Sequence, residues 1–307
     1  MKRRLSNLSE QRLYQEIVGT AAEYRAEIYR KVRIADVVDI GSLPTRAIGT
    51  YALQAHFDIC VCDENQIPEF VIEFDGGAHD PRNDDKKNRI AIAADLALFR
   101  IDETLLDRAQ CEMTFLQYLV HTWFLGKEFQ RMREAGELSA DEPFVMSGFL
   151  KPDARNIFDS AFDFRMPAIG KLRRVMRKAG FWNGPLDHMD MASLIMACDD
   201  SSFIGFATIP LGGGVACGRA RMDIGTPCLG GLVELPFGWS ALSDFCEGLM
   251  VEDLRDNVEM ILAGAGHVVL RLEDLLSEIR ELQRNGYDLL RGMSSAGSSL
   301  LELANRT

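Results

Sequence analysis

The sequence predicts an α/β domain, a mixed sheet flanked by helices, followed by a second α+β unit. Three observations carry this expectation. Over residues 8–135 the apolar periodicity switches between helix and strand spacing in the order helix, strand, strand, strand, helix, strand, helix. The acidic segment Glu134–Pro143, which contains Gly136, then breaks the pattern as a linker. With 307 residues, 47% of them hydrophobic, the chain is long enough for two cores. The expected units are residues 1–135 and 144–307.

Each element has its own signal. Residues 8–28 read as a helix, with Leu13, Ile17, Ala21 and Tyr24 at helical spacing and Ser9 as N-cap. Ile28–Ile34 reads as a short strand, Ala35–Gly49 as an irregular connection, and Tyr51–Cys62 as an apolar strand. Asp63–Pro68 has the composition of a hairpin turn and leads into strand Phe70–Asp75. Gly76–Arg82 reads as a loop, Asp84–Asp95 as a helix, Ala97–Ile101 as a buried strand and Cys111–Ala135 as a long amphipathic helix. In the second unit, Asp163–Ala179 is a basic amphipathic segment and Ser202–Gly238 is glycine-rich and β. Leu270–Gly286 is a helix whose stripe of Leu272, Leu275, Ile279 and Leu282 is too short for a coiled coil, so core packing is preferred to a dimer seam. Gly212-Gly213-Gly214 lacks the Gly-Lys-Ser/Thr of a phosphate loop and reads as a tight turn.

Composition narrows the function classes. No apolar run approaches the length of a membrane span, and Met1-Lys2-Arg3-Arg4 leads into polar residues. The expectation is a cytoplasmic protein with no membrane partner. The seven cysteines form no C-x-x-C pair, so reduced thiols are expected, with Cys60 and Cys62 on opposite faces of their strand. The net charge of −12 argues against tight non-specific binding to nucleic acid, which rests on phosphate neutralisation. Any such contact needs a local basic patch or a partner.

The strongest chemical signal is Val71-Ile72-Glu73-Phe74-Asp75-Gly76-Gly77-Ala78-His79-Asp80. Residues i and i+2 of a strand share a face, so Glu73 and Asp75 project together from an apolar run. Two carboxylates held side by side call for a positive group, and a divalent cation meets that need. A third acid, Asp58, lies within the apolar stretch Phe57–Val61. Taken singly, these residues have plainer readings. Asp58 could cap a strand end. Glu73 and Asp75 could form a structural calcium site or pair with Arg82 or Arg89. His79 could be an ordinary loop histidine, and Lys86-Lys87 a solvated helix face.

Taken together, they resemble the PD-(D/E)XK, or restriction-endonuclease-like, nuclease superfamily over about residues 1–125. The nearest branch is that of very-short-patch-repair endonucleases. The matching pattern is Asp58 after a hydrophobic strand, then Glu73, Asp75, Gly76 and His79, then Asp84 and Lys87 on a helix, then Arg100-Ile101 ending a strand. Where the superfamily usually has a lysine, this chain has Asp75, and Lys87 on the following helix is placed to substitute for it, with Lys86 the other candidate. The resemblance implies a DNA endonuclease of a restriction, repair or antiviral defence system. It implies Mg²⁺, replaceable by Mn²⁺, on Asp58, Glu73 and Asp75, and catalytic roles for these acids with His79 and Lys87. Glu10 or Glu16 of the first helix could support a second ion. Lys171, Arg173, Arg174, Arg177 and Lys178 form a candidate nucleic-acid contact or an ordinary solvated face. Residues 144–307 could also hold a protein partner or a homodimer contact. The rival reading is a nuclease-like module that binds nucleic acid or scaffolds a complex without catalysis. Chemistry within residues 144–307 is a third option, unsupported by any nucleophile–base pair.

Overall fold

The computed structural model describes residues 8–76, 80–149, 162–180, 190–199, 201–211, 213–265, 269–294 and 299–306. They fall into two compact units, one of Met1–Asp159 with Asp223–Ala241, the other of Ser160–Met222 with Leu242–Thr307.

In the first unit, helix α1 (Leu8–Glu23) leads to β1 (Glu27–Arg33). Ala35–Gly49 is helical where an irregular connection was expected, with α2 (Ile34–Val37), a 3₁₀ turn (Ile40–Ser42) and α3 (Arg46–Ala52). Thr45 caps α3, its hydroxyl accepting the Ile48 N–H, and Ile48, Gly49 and Ala52 are buried. The following strand, β2 (His56–Cys62), therefore starts after Tyr51, which lies on the helix. The Asp63 carboxylate accepts the Asn65 and Ile67 N–H groups, closing the turn into β3 (Pro68–Asp75). Helix α4 (Pro81–Ala93) begins earlier than Asp84, because Asp80 caps it and Pro81 suits its first turn. Next come β4 (Ala97–Asp102), α5 (Glu103–Leu106), the short pair β5 (Ala109–Gln110) and β6 (Met113–Thr114), and α6 (Phe115–Glu134). Thr114 and Gln117 form a capping box at the start of α6, which sets its N-terminus inside the expected span.

The sheet order is β1-β2-β3-β4, antiparallel at the first two junctions and parallel at the third. It is the mixed sheet flanked by helices that the sequence predicts. One core cluster contains Phe57, Cys60, Val71 and Leu98 with Ile90 and Ala91 of α4. Phe70 and Phe99 pack around Trp123 of α6. Cys60 and Cys62 share a face, their Sγ atoms 3.7 Å apart, because residues two apart on a strand project the same way. The expectation of opposite faces fails for that reason.

The cut between units also differs from 1–135 and 144–307. Segment 223–241 returns to the first unit, where the Arg100 N–H donates to the Ile224 carbonyl at 3.0 Å and Leu229 packs on the core. This covers β4, an edge strand with unpaired backbone groups. The tail of the stretch expected to be β thus serves as an edge cover.

The second unit holds α7 (Arg165–Lys178), β7 (Ala192–Cys198), β8 (Ser202–Leu211), β9 (Gly214–Asp223), α8 (Ser243–Leu262), α9 (Leu272–Arg284), β10 (Asp288–Ser294) and α10 (Leu300–Arg306). Its sheet order is β10-β7-β8-β9. Leu275 and Ile279 are buried with Leu194, Phe206 and Leu300, and Leu272 and Leu282 pack beside them, so the leucine stripe is core. Helix α8 approaches β9 so closely that a Cβ on Gly218 would lie 2.1 Å from the Met250 carbonyl oxygen. Gly218→Ala is expected to lower stability by about 1–3 kcal/mol, the scale of core overpacking, measurable by urea unfolding.

Candidate functional site

The strand registers build a transverse row of charge. One step beyond the Ile59–Ile72 pair, Asp58 of β2 lies beside Glu73 of β3, and Glu73 pairs with Arg100 of β4. Lys31 of β1 lies between the Arg30–Ile59 and Val32–Phe57 pairs, opposite Asp58. The row reads Lys31, Asp58, Glu73, Arg100. Two helices add to it, Glu10 from α1 and Asp84, Lys87 and Asn88 from α4.

Contacts are dense. Asp58 accepts the Phe74 N–H on one oxygen at 2.9 Å and the Lys31 ammonium on the other at 2.7 Å. Lys31 also reaches Glu10, a buried helix residue, at 2.8 Å. Lys87 donates to Glu73 Oε2 at 2.5 Å. Arg100 binds Asp84 at 2.9 Å and Asn88 at 3.1 Å, and lies 3.5 Å from Asp75. Lys86 instead lies over the Tyr51 ring, 4.7 Å from its centroid. Of the two candidate lysines, Lys87 is the one that meets the acids.

Glu73 is only 4% exposed, and its Oε1 has no hydrogen-bond partner among the described residues. Burial pushes its carboxyl up to about 7; Lys87 works against this and Asp58 adds to it. Burial lowers the Lys31 ammonium, but the hydrogen bonds it donates to Asp58 and Glu10 outweigh it and leave the group above its ordinary value. Lys31 also holds a left-handed backbone, φ 52°, which costs a non-glycine residue roughly 1–2 kcal/mol.

The structure thus brings together Asp58, Glu73 and Lys87, with Asp75 at one side on Arg100. Glu73 pairs with Lys87, and Asp75 lies beside Arg100. His79 lies outside the described residues. Among the described residues, no three His, Cys, Asp or Glu side chains stand in a geometry that would hold a metal ion. The lysines rest on the carboxylates instead. The acids gathered here are Glu10, Asp58, Glu73, Asp75 and Asp84. The donor set is all oxygen, the kind Mg²⁺ and Mn²⁺ prefer. Lys31 carries no sequence signal. It sits in an ordinary polar strand, and its role emerges only when β1, β2 and α1 are assembled.

In the second unit, Lys171 is bound to Glu252 at 3.2 Å and Arg173 is half-buried, while Arg174, Arg177 and Lys178 are exposed. The basic patch is therefore narrower than the sequence suggests. A cavity of about 680 Å³ in the first unit, lined by Tyr24, Glu69, Phe124 and Lys127 among others, contains none of the site residues.

Comparison with known proteins adds one finding. Residues 2–112, from the approach to α1 through β5, match the model of a family described as a protein of unknown function, DUF2726. All the acids and cations of the row fall within that span. No curated protein and no solved structure matches the chain. Among the described residues, no helix is long and apolar enough to cross a membrane.

Proposed function

We propose that the first unit is a divalent-metal-dependent nuclease of restriction-endonuclease-like fold, acting on DNA in restriction, repair or antiviral defence. One observation carries the reading. Glu73 is a deeply buried carboxylate, half of it unbonded among the described residues, beside Asp58 and against the ammonium of Lys87. A buried acid in that setting is costly unless a cation or a proton satisfies it. Asp58 and Glu73 would hold Mg²⁺ or Mn²⁺, with Asp75 as the third oxygen donor. Such an ion would supply charge neutralisation and lower the pKa of a bound water, so that a hydroxide nucleophile is available at neutral pH.

The remaining roles belong to the chain. Phe74 N–H and Lys31 fix the Asp58 carboxylate. Lys87 pulls Glu73 back toward its charged form and would present its ammonium where charge develops on a phosphodiester. Arg100 ties Asp84 of α4 to the sheet and thereby sets the position of the helix that carries Lys87. His79 follows the acids in the chain and suits proton transfer near neutral pH.

The test is a digestion panel on single- and double-stranded DNA and RNA, with Mg²⁺, Mn²⁺ or chelator. Metal-dependent cleavage that disappears in Asp58→Asn and Glu73→Gln is the expected result. Nucleic-acid binding without cleavage under every condition would instead make the unit a non-catalytic module.

The exposed end of α7 gives a separate expectation. Reversing Arg174, Arg177 and Lys178 to Glu should weaken nucleic-acid binding most at low salt, flattening the salt dependence by about one unit of slope per lost phosphate contact. Filter binding across a salt series measures this. A slope equal to wild type would identify this end of α7 as a solvated face.

A further inference from the structure

The geometry points to Lys31 as a resident counter-cation that occupies the acidic site in the metal-free protein and yields Asp58 to an incoming divalent ion. The inference rests on the metal-site reading above and concerns how that site is controlled. Its basis is the position of one ammonium group. Lys31 Nζ stands 2.7 Å from Asp58 Oδ1 and 2.8 Å from Glu10 Oε1, bridging two buried carboxylates on different elements. The other Asp58 oxygen already accepts the Phe74 N–H, so Oδ1 is the oxygen without a backbone donor among the described residues, and Lys31 is on it.

Two further observations fit an exchangeable occupant. The Lys31 side chain is 37% exposed, so the ammonium has a route back to water without unfolding anything. Its backbone holds the left-handed conformation at φ 52°, a strain that persists where the surroundings gain from the side chain it delivers. Lys87 is different in kind. Its side chain is 15% exposed and sits on Glu73, where the proposed chemistry uses it. The two lysines therefore divide the work. Lys87 stays, while Lys31 leaves Asp58 and falls back on Glu10 or solvent. An ion must displace one charge-assisted hydrogen bond to enter, so the site discriminates against weakly binding cations.

The test is calorimetric titration of Mn²⁺ into the full chain, as wild type, Lys31→Met, Lys31→Gly and Glu10→Gln. Lys31→Met keeps the side-chain length without the charge. Lys31→Gly removes the competitor and also relieves the left-handed strain, so it guards against a folding defect. Both Lys31 variants should bind Mn²⁺ about tenfold more tightly or better, the scale of one hydrogen bond to a charged group. Mn²⁺ should also raise their melting temperatures more than that of wild type. Glu10→Gln should bind more weakly, because Lys31 then has only Asp58 to hold. A second readout uses ¹³Cε-labelled lysine with diamagnetic Mg²⁺, where the Lys31 resonance should move toward that of a solvent-exposed lysine. If wild type binds Mn²⁺ and the Lys31 variants bind it equally or more weakly, Lys31 is a fixed strut and the exchange is overturned while the metal site stands. If neither wild type nor any variant binds Mn²⁺, the metal-site reading fails and the exchange fails with it.

Discussion

Asp58→Asn and Glu73→Gln are each expected to abolish Mn²⁺ binding in calorimetry, and cleavage with it, while the fold stays intact. The choice of amide over alanine follows from the contacts. Asparagine at 58 still offers an acceptor to the Phe74 N–H, whereas alanine strands that donor, at about 1–3 kcal/mol, and leaves Lys31 with Glu10 alone. Alanine would thus mix a stability effect into the result. Glu73→Gln goes further. The native carboxyl is pushed up to about 7 because burial disfavours its charge, so a neutral amide removes a destabilising ionisation. The variant should melt as high as wild type or higher at pH 8 and yet be inert, a trade of function against stability that marks a site kept for its chemistry. Unchanged Mn²⁺ affinity in both variants would remove this pair of acids from consideration.

Much of the frame was legible in the sequence because its signals are local. Asp63 closes its own turn, the Asp80-Pro81 pair starts α4, and Glu73 and Asp75 share a face by strand geometry alone. What was not legible depends on assembly. Thr45 caps a helix, Arg46–Ala52, whose members, read as a bare string, divide between an irregular connection and the start of a strand. Segment 223–241 belongs with residues distant in sequence, because only the folded sheet creates an edge that needs covering. The same holds at the site. Asp58, Glu73 and Lys87 were named from spacing and resemblance, but Lys31 and Glu10 meet only through the β1–β2 register and the packing of α1. Sequence spacing identified which acids come together and the lysine on Glu73; the Lys31 bridge from Asp58 to Glu10 required the third dimension.

Lys87→Met should show a stability defect that depends on pH, separating its role from that of a structural strut. The sign follows from Glu73. Its carboxyl is raised in the folded protein from an ordinary 4.5 to about 7. At pH below about 4.5 both states hold the proton and the group is neutral in its effect. Between about 4.5 and 7 the folded state keeps a proton that the unfolded state has released. Stability therefore falls as pH rises through that window, by on the order of 3 kcal/mol in total, and then levels off. Lys87 limits the loss, since its ammonium is the largest influence pulling Glu73 back toward the charged form. Without it, the Glu73 carboxyl rises further and the decline continues beyond pH 7. At pH 5.5, where Glu73 is protonated either way, variant and wild type should unfold within about 1 kcal/mol of each other, the worth of one ordinary hydrogen bond. At pH 8.5 the gap should widen toward the roughly 3–5 kcal/mol of a broken buried pair. Urea melts at the two pH values measure it. In a Lys87→Met/Glu73→Gln double variant the gap should disappear, because no buried carboxylate remains to be compensated. Cleavage by Lys87→Met should be low even at pH 6.5, where its fold is nearly as stable as wild type, since the ammonium that meets the developing phosphate charge is gone. A gap of equal size at both pH values would show that Lys87 acts through packing, and the electrostatic pairing with Glu73 would lose its place in the mechanism.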